Sequence, residues 1–478
     1  MDANLSRIFS EVPPKPDHNP LRKAIEASAD RPDVAATLKL FASMPASTSV
    51  LANPVRHHHQ VPATGATLEL DIRSFTIRGK LFEEDIVTGK ADAVRVIFVG
   101  LFGRTPDDKE AALFRDFLGT SLSRGLERSL EKTREFMKTF PHAAPDVTAQ
   151  HWASFRKAAF EIGAINASRP PDQLLAEMID VHLENVAVMA SSSFIRPERQ
   201  APDIKNVTDP FQFVFQMLLR RVPNADEIRI LGQLGAIQVH HGSAGSNMVA
   251  RYFATLHTRS VSDLFTASQM ALDCGRHFGA ISDMSDFVRI LERTAQGKRD
   301  DAIRDRIVKG SLPTFGHPEI AAAGRENHLE MDPRPALYLA PLLEAIDKGT
   351  VTVRPDVLER VALLERIYQI ALVEGVQKTT GTGRLRLTPN TDFGAWIVQE
   401  ILGIEEPDRT MLSYVYRGFG WMMDVREQLQ QPIIRPVIPP DPAIIPKSTG
   451  EGTIPSMITS VHERLAAGNA FIQRSGKP

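Results

Sequence analysis

Thr388-Pro389-Asn390-Thr391-Asp392-Phe393, continued by Trp396-Ile397-Val398-Gln399-Glu400-Ile401-Leu402, is the stretch that decides the fold class. A short acceptor such as Asp392 after Pro-Asn-Thr caps a following helix, because it satisfies an amide left open at the helix start. From Trp396 to Leu402 the apolar residues recur at three- and four-residue spacing, the helical period. Working outward, the same period returns in 111–140, broken by Pro141 and Pro145, and in 173–190, 211–219, 225–237, 247–255, 261–277, 283–295 and 358–373. Strand signals are few: Leu68–Ile77 alternates and ends in Arg78-Gly79, and Arg384–Leu387 reads as a short hairpin arm. The expected class is therefore all-α.

Asp392 also has chemical company. With His277 and His317 it gives a carboxylate and two imidazoles, the groups needed to take a proton from carbon and to stabilise an enolate. Arg334, Arg417 and Arg435 in the same C-terminal third are guanidinium forks suited to a multiply charged carboxylate.

The 478 residues suffice for two or more domains. With 56 basic and 58 acidic residues and a net charge of −2, the overall field gives no reason to expect nucleic acid or an anionic membrane as partner. A single cysteine, Cys274, excludes an intramolecular disulfide. Its position three residues before His277 is compatible with a nucleophilic pair, but a small buried hydrophobe is the expected role. The N-terminus has neither a signal-peptide core nor the character of a transit sequence, and no apolar run reaches membrane length, the longest being 94–102. A cytoplasmic protein is expected. The His57-His58-His59 triplet lacks a carboxylate or cysteine at ligand spacing, so no metal site is expected there. Asn206-Val207-Thr208 matches a glycosylation acceptor but is expected to be idle, and Gly381-Thr382-Gly383-Arg384 lacks the helix a phosphate cradle needs. The segment 432–446 is dense in proline, so it is expected to be extended and to lie across another surface.

Taken in order, the motifs resemble one family. Arg78-Gly79-Lys80-Leu81-Phe82-Glu83-Glu84-Asp85 and Phe98-Val99-Gly100-Leu101-Phe102-Gly103-Arg104-Thr105-Pro106 are similar to the N-terminal signature of citrate synthases. The stretch from His241 to Arg251 is similar to their HEQNASTxTxR segment, and Gly275-Arg276-His277-Phe278-Gly279-Ala280 to GPLHGGAN. Leu312-Pro313-Thr314-Phe315-Gly316-His317, Asp332-Pro333-Arg334, Pro389-Asn390-Thr391-Asp392-Phe393, Tyr416-Arg417-Gly418-Phe419-Gly420-Trp421 and Ile434-Arg435-Pro436 continue the pattern. The resemblance spans about residues 68 to 440.

It implies a two-domain helical fold with an N-terminal arm at 1–64, a large domain at 65–276 and 395–478, and a small domain at 277–394. It implies condensation of an acyl-CoA with oxaloacetate or a similar 2-oxo dicarboxylate, the coenzyme A thioester being a substrate and no further cofactor being required. Asp392 would be the base, His277 the donor to the enol, and His317 the donor to the ketone oxygen, with His241 holding the same substrate. Arg334, Arg417 and Arg435 would bind its carboxylates, Arg435 reaching in from the second subunit of a homodimer. A 2-methylcitrate synthase, a condensing enzyme with another acyl donor, a citryl thioester lyase and a non-catalytic dicarboxylate binder are the alternatives.

The departures concentrate on the thioester side. Where the family has basic residues after Gly-His, this chain has Pro318-Glu319-Ile320-Ala321-Ala322-Ala323, then an insertion carrying Arg325 and His328. Phe278 stands beside His277 where the family has glycine, and Gly394 and Trp396 follow the base, which is expected to alter the acyl pocket. Asp424 stands where the family often has histidine.

Overall fold

The structure is a computed structural model, described over residues 76–77, 80–81, 92–159, 171–195, 209–240, 245–256, 260–273, 279–316, 334–378 and 384–430. All of these fall within one compact unit that ends at Ile434. In chain order the helices are α1 (Ala93–Phe102), α2 (Asp108–Thr139), α3 (Pro145–Ala159), α4 (Pro171–Ile195), α5 (Pro210–Leu219), α6 (Ala225–Gln238) and α7 (Gly245–Thr255). They continue as α8 (Val261–Leu272), α9 (Gly279–Arg293), α10 (Arg299–Val308), α11 (Arg334–Asp347), α12 (Pro355–Glu374), α13 (Thr391–Leu402) and α14 (Arg409–Gln430). Among the described residues, strands are confined to two antiparallel hairpins. One is β1 (Thr76–Ile77) with β2 (Lys80–Leu81), and the other is β3 (Val376–Lys378) with β4 (Arg384–Arg386). The expected predominantly helical class is what the chain forms. No helix of the described residues is long and apolar enough to cross a membrane.

Local chemistry explains where helices begin. Asp107 and Glu110 form a reciprocal capping box at the start of α2, and Asn224 and Glu227 do the same for α6, each satisfying two otherwise open amides. Asp209 caps α5 with Pro210 in the first turn, where a missing N–H costs nothing. The period expected to run to His277 stops earlier: α8 ends at Leu272, with Asp273 as its C-cap.

Three helices form the interior. Residues 181–193 of α4, all of α13, and residues 411–425 of α14 are buried on every side. Such helices bury polar side chains along with apolar ones, among them Arg417, Asp424 and Glu427 of α14. α14 packs against α1, α4, α6 and α7, while α13 packs against α9 and α11. Each fully buried large apolar side chain, such as Trp421 or Phe419, contributes roughly 1.5–3 kcal/mol. Close approach to α14 depends on glycine. A Cβ at Gly418 would lie 2.1 Å from the His182 ring, and one at Gly420 would lie 2.1 Å from the Val239 carbonyl oxygen.

Candidate active site

α13 and α14 bring the site residues into the interior. The segment before α13 is stitched to the chain that precedes His317. Phe315 pairs with Pro389, Gly316 N–H donates to the Thr388 carbonyl at 2.8 Å, and Asn390 N–H donates to the Thr314 carbonyl at 3.0 Å. The Asn390 amide adds a bond to the Gly316 carbonyl at 3.1 Å. The turn that permits this is strained: Thr314 sits at φ 61° and Gly316 at φ 81°. A β-branched residue at positive φ persists only where its surroundings over-determine it, and such positions cluster at functional sites.

Asn390, not Asp392, caps α13, its side-chain oxygen accepting from the Asp392 N–H at 3.0 Å. Asp392 is thereby released from the expected capping role and lies in the first turn, 6% exposed. One residue earlier, the Thr391 hydroxyl meets the Tyr338 hydroxyl of α11 at 2.6 Å.

Gly394 serves this same contact. A Cβ there would stand 2.7 Å from the Pro335 Cα and 2.9 Å from the Tyr338 ring, so glycine lets α11 approach α13 closely. Its missing side chain makes room for a helix that starts with Arg334. Trp396 likewise packs into the interior. Its indole N–H donates to the Ser285 hydroxyl at 2.8 Å, and Arg409 lies over its ring at 5.3 Å. With Glu400 and Arg409 it lines a cavity of about 310 Å³.

Arg417, on α14, is 2% exposed. Its Nε–H donates to the Gln238 carbonyl at 2.9 Å, and its Nη1 donates to the Asn247 side-chain oxygen at 3.1 Å. Burial and the like charge of Arg334 push its pKa down to about 10, against the pull of Tyr338, Asp392 and Asp424. It remains a cation at neutral pH.

Behind Arg417 lies a network that the sequence reading did not find. Asp424, fully buried, accepts from the Asn247 amide at 2.5 Å and contacts His240 Nε2 at 3.0 Å and Arg251 at 2.5 Å. Burial alone would push the Asp424 carboxyl up, but Arg251, His240 and Asn247 together hold it below the usual range. Arg251 also pairs with Glu427. The one signal in the sequence was Asp424 itself, standing where histidine was expected.

The structure thus brings Asp392, Arg334 and Arg417 into one buried electrostatic cluster. His241, His277, His317 and Arg435 lie outside the described residues, as do Cys274, Phe278 and the insertion with Arg325. Among the described residues no group of His, Cys, Asp and Glu is arranged to hold a metal ion.

A carboxylate and two arginines are thus delivered to the interior by α11, α13 and α14. The sequence profile of the citrate synthase C-terminal domain matches residues 68–437, and the chain belongs to the citrate synthase family. Among solved structures, it is similar to a citrate synthase from the thermophilic archaeon Thermoplasma acidophilum, in ternary complex with carboxymethyl coenzyme A and oxaloacetate. That likeness has a TM-score of 0.60 and 18% identity, over 81% of this chain and 96% of that one. It is also similar to a citrate synthase from Pyrobaculum aerophilum, with a TM-score of 0.56 and 19% identity over 78% of this chain and 88% of that one. At these identities the likeness is one of fold. A comparison with curated proteins finds no match.

Proposed function

We propose that this chain condenses an acyl-CoA thioester with oxaloacetate or a close 2-oxo dicarboxylate, and then hydrolyses the product thioester. The observation that carries this reading is the cluster of Asp392, Arg334 and Arg417: one carboxylate beside two buried cations in a citrate synthase fold. A thioester α-carbon is a weak acid, so its deprotonation needs a base and a donor to the developing enol oxygen together. Asp392 takes the proton, and His277 donates to the enol oxygen. The enol carbon then bonds to the ketone carbon, whose oxygen gains a proton with help from His317. Water cleaves the new thioester, releasing free coenzyme A thiol and the tricarboxylate.

Arg334 and Arg417 hold the carboxylates of the ketoacid, with His241 and Arg435, the latter supplied across a homodimer interface. The low pKa of Arg417 supports this role, because an arriving carboxylate relieves both burial and the repulsion from Arg334. The test is to mix the protein with oxaloacetate and a panel of acyl-CoAs and follow free thiol. Thiol release that requires both substrates is expected with at least one thioester. Binding of oxaloacetate with no thioester consumed would refute the synthase reading.

A further inference from the structure

Arg417 and Asp424 lie seven residues apart on α14, and Asn247 of α7 joins them. The Asn247 side chain is buried and divided: its oxygen accepts from Arg417 Nη1 at 3.1 Å, and its NH2 donates to Asp424 at 2.5 Å. A carboxylate only accepts, so Asp424 requires Asn247 to turn its NH2 inward. The amide oxygen is then obliged to face Arg417. Reversing the amide would set oxygen against carboxylate on one side and NH2 against guanidinium on the other. Burial makes each such mismatch expensive.

Arg417 is held from a second direction by the Gln238 carbonyl on its Nε. Two acceptors on different nitrogens of a planar group fix the plane, where one would leave it free to swing. His240 and Arg251 hold Asp424 in turn, so the arrangement is braced from α7, from α14 and from the chain just after α6.

We infer that Asn247 and Asp424 are positioning residues: Asp424 orients the Asn247 amide, and that amide sets the guanidinium plane of Arg417 against a substrate carboxylate. This inference rests on the dicarboxylate reading above. A bidentate carboxylate–guanidinium pair depends on the relative planes of the two groups, so a tilt of Arg417 weakens the ketoacid without touching the thioester.

The experiment compares the unaltered protein with Asn247→Leu, which keeps the branched outline and removes both bonds, and with Asp424→Asn, which keeps the shape and removes the charge that dictates the amide. Oxaloacetate binding is measured by calorimetry, and KM is measured for both substrates. The expected result is oxaloacetate affinity at least about tenfold weaker in Asn247→Leu and about three- to tenfold weaker in Asp424→Asn, with the acyl-CoA KM within about twofold of the unaltered protein. Oxaloacetate binding within twofold of the unaltered protein in either folded variant overturns the assignment. So does an equal rise in both KM values, the mark of a general structural defect. If the unaltered protein itself does not bind oxaloacetate, the proposed function falls first and this inference with it.

Discussion

Arg409 and Arg417 occupy the same buried helix about two turns apart, and their surroundings differ in kind. Arg409 is cemented: it pairs with Glu400, donates to the Ser285 hydroxyl at 2.9 Å and the Ile404 carbonyl at 3.1 Å, and lies over Trp396. Glu400 is shared with Arg360 at 2.6 Å. Arg417 is instead positioned by a main-chain carbonyl and an amide while Arg334 presses on it, and its pKa falls to about 10. A buried arginine that already has its carboxylate in hand stabilises the fold. On the function proposed above, Arg409 is the structural cation of this helix and Arg417 the one that meets the substrate carboxylate.

The sharpest way to break that comparison is at Asp392, the carboxylate that acts on Arg417. Asp392→Ala is expected to lower thiol release about 10²- to 10⁴-fold while oxaloacetate still binds. Undiminished turnover in this variant would move the base elsewhere. Next in size is the structural arginine. Arg409→Met leaves the buried Glu400 with Arg360 alone and is expected to cost about 3–5 kcal/mol in denaturant unfolding. A stability within 1 kcal/mol of the unaltered protein, on that same scale, would mean that this pair is not the cement described.

A third effect concerns the packing of α14 itself. His182 is buried against Gly418, its Nε2–H donating to the Val415 carbonyl at 2.8 Å, and burial pushes its pKa down to about 4. Its folded pKa lies below the unfolded value near 6.5, so its contribution is intact above pH 6.5 and is lost as pH falls toward 4. The total is about 3 kcal/mol over that window. Asp273 acts in the opposite sense: burial, with Asp146, raises it to about 7, so it adds stability as pH falls from 7. The difference between the unaltered protein and His182→Gln isolates the histidine. That difference is expected to shrink by about 3 kcal/mol between pH 7 and pH 4, and a flat difference would contradict a neutral buried imidazole.

The fold was legible wherever sequence and burial share a period. Caps and three-to-four spacing expose α2, α6, α8 and α12, while two kinds of helix escaped. α14 is buried on every side over 411–425, so its polar residues do not mark a solvent-facing side. α10 buries only Ile303 and is tied down by pairs such as Arg304–Glu374 and Arg366–Asp300, so no apolar face announces it. Asp392, Arg334 and Arg417 could be singled out as candidates because each sits in a local motif. The Asn247–Asp424–His240 network could not, because its bonds join residues 177 and 184 positions apart, and no local spacing encodes such a pairing. The close approach of α11 at Gly394 was hidden for a related reason, since Pro335 and Tyr338 are distant in sequence.

The most direct test of the central claim is a calorimetric titration of oxaloacetate into three proteins: unaltered, Arg409→Met and Arg417→Met. The account predicts equal affinity for the first two and a loss of roughly 10- to 100-fold for Arg417→Met, the worth of a charge-assisted bond to a carboxylate. Affinity in Arg417→Met equal to that of the unaltered protein would contradict it.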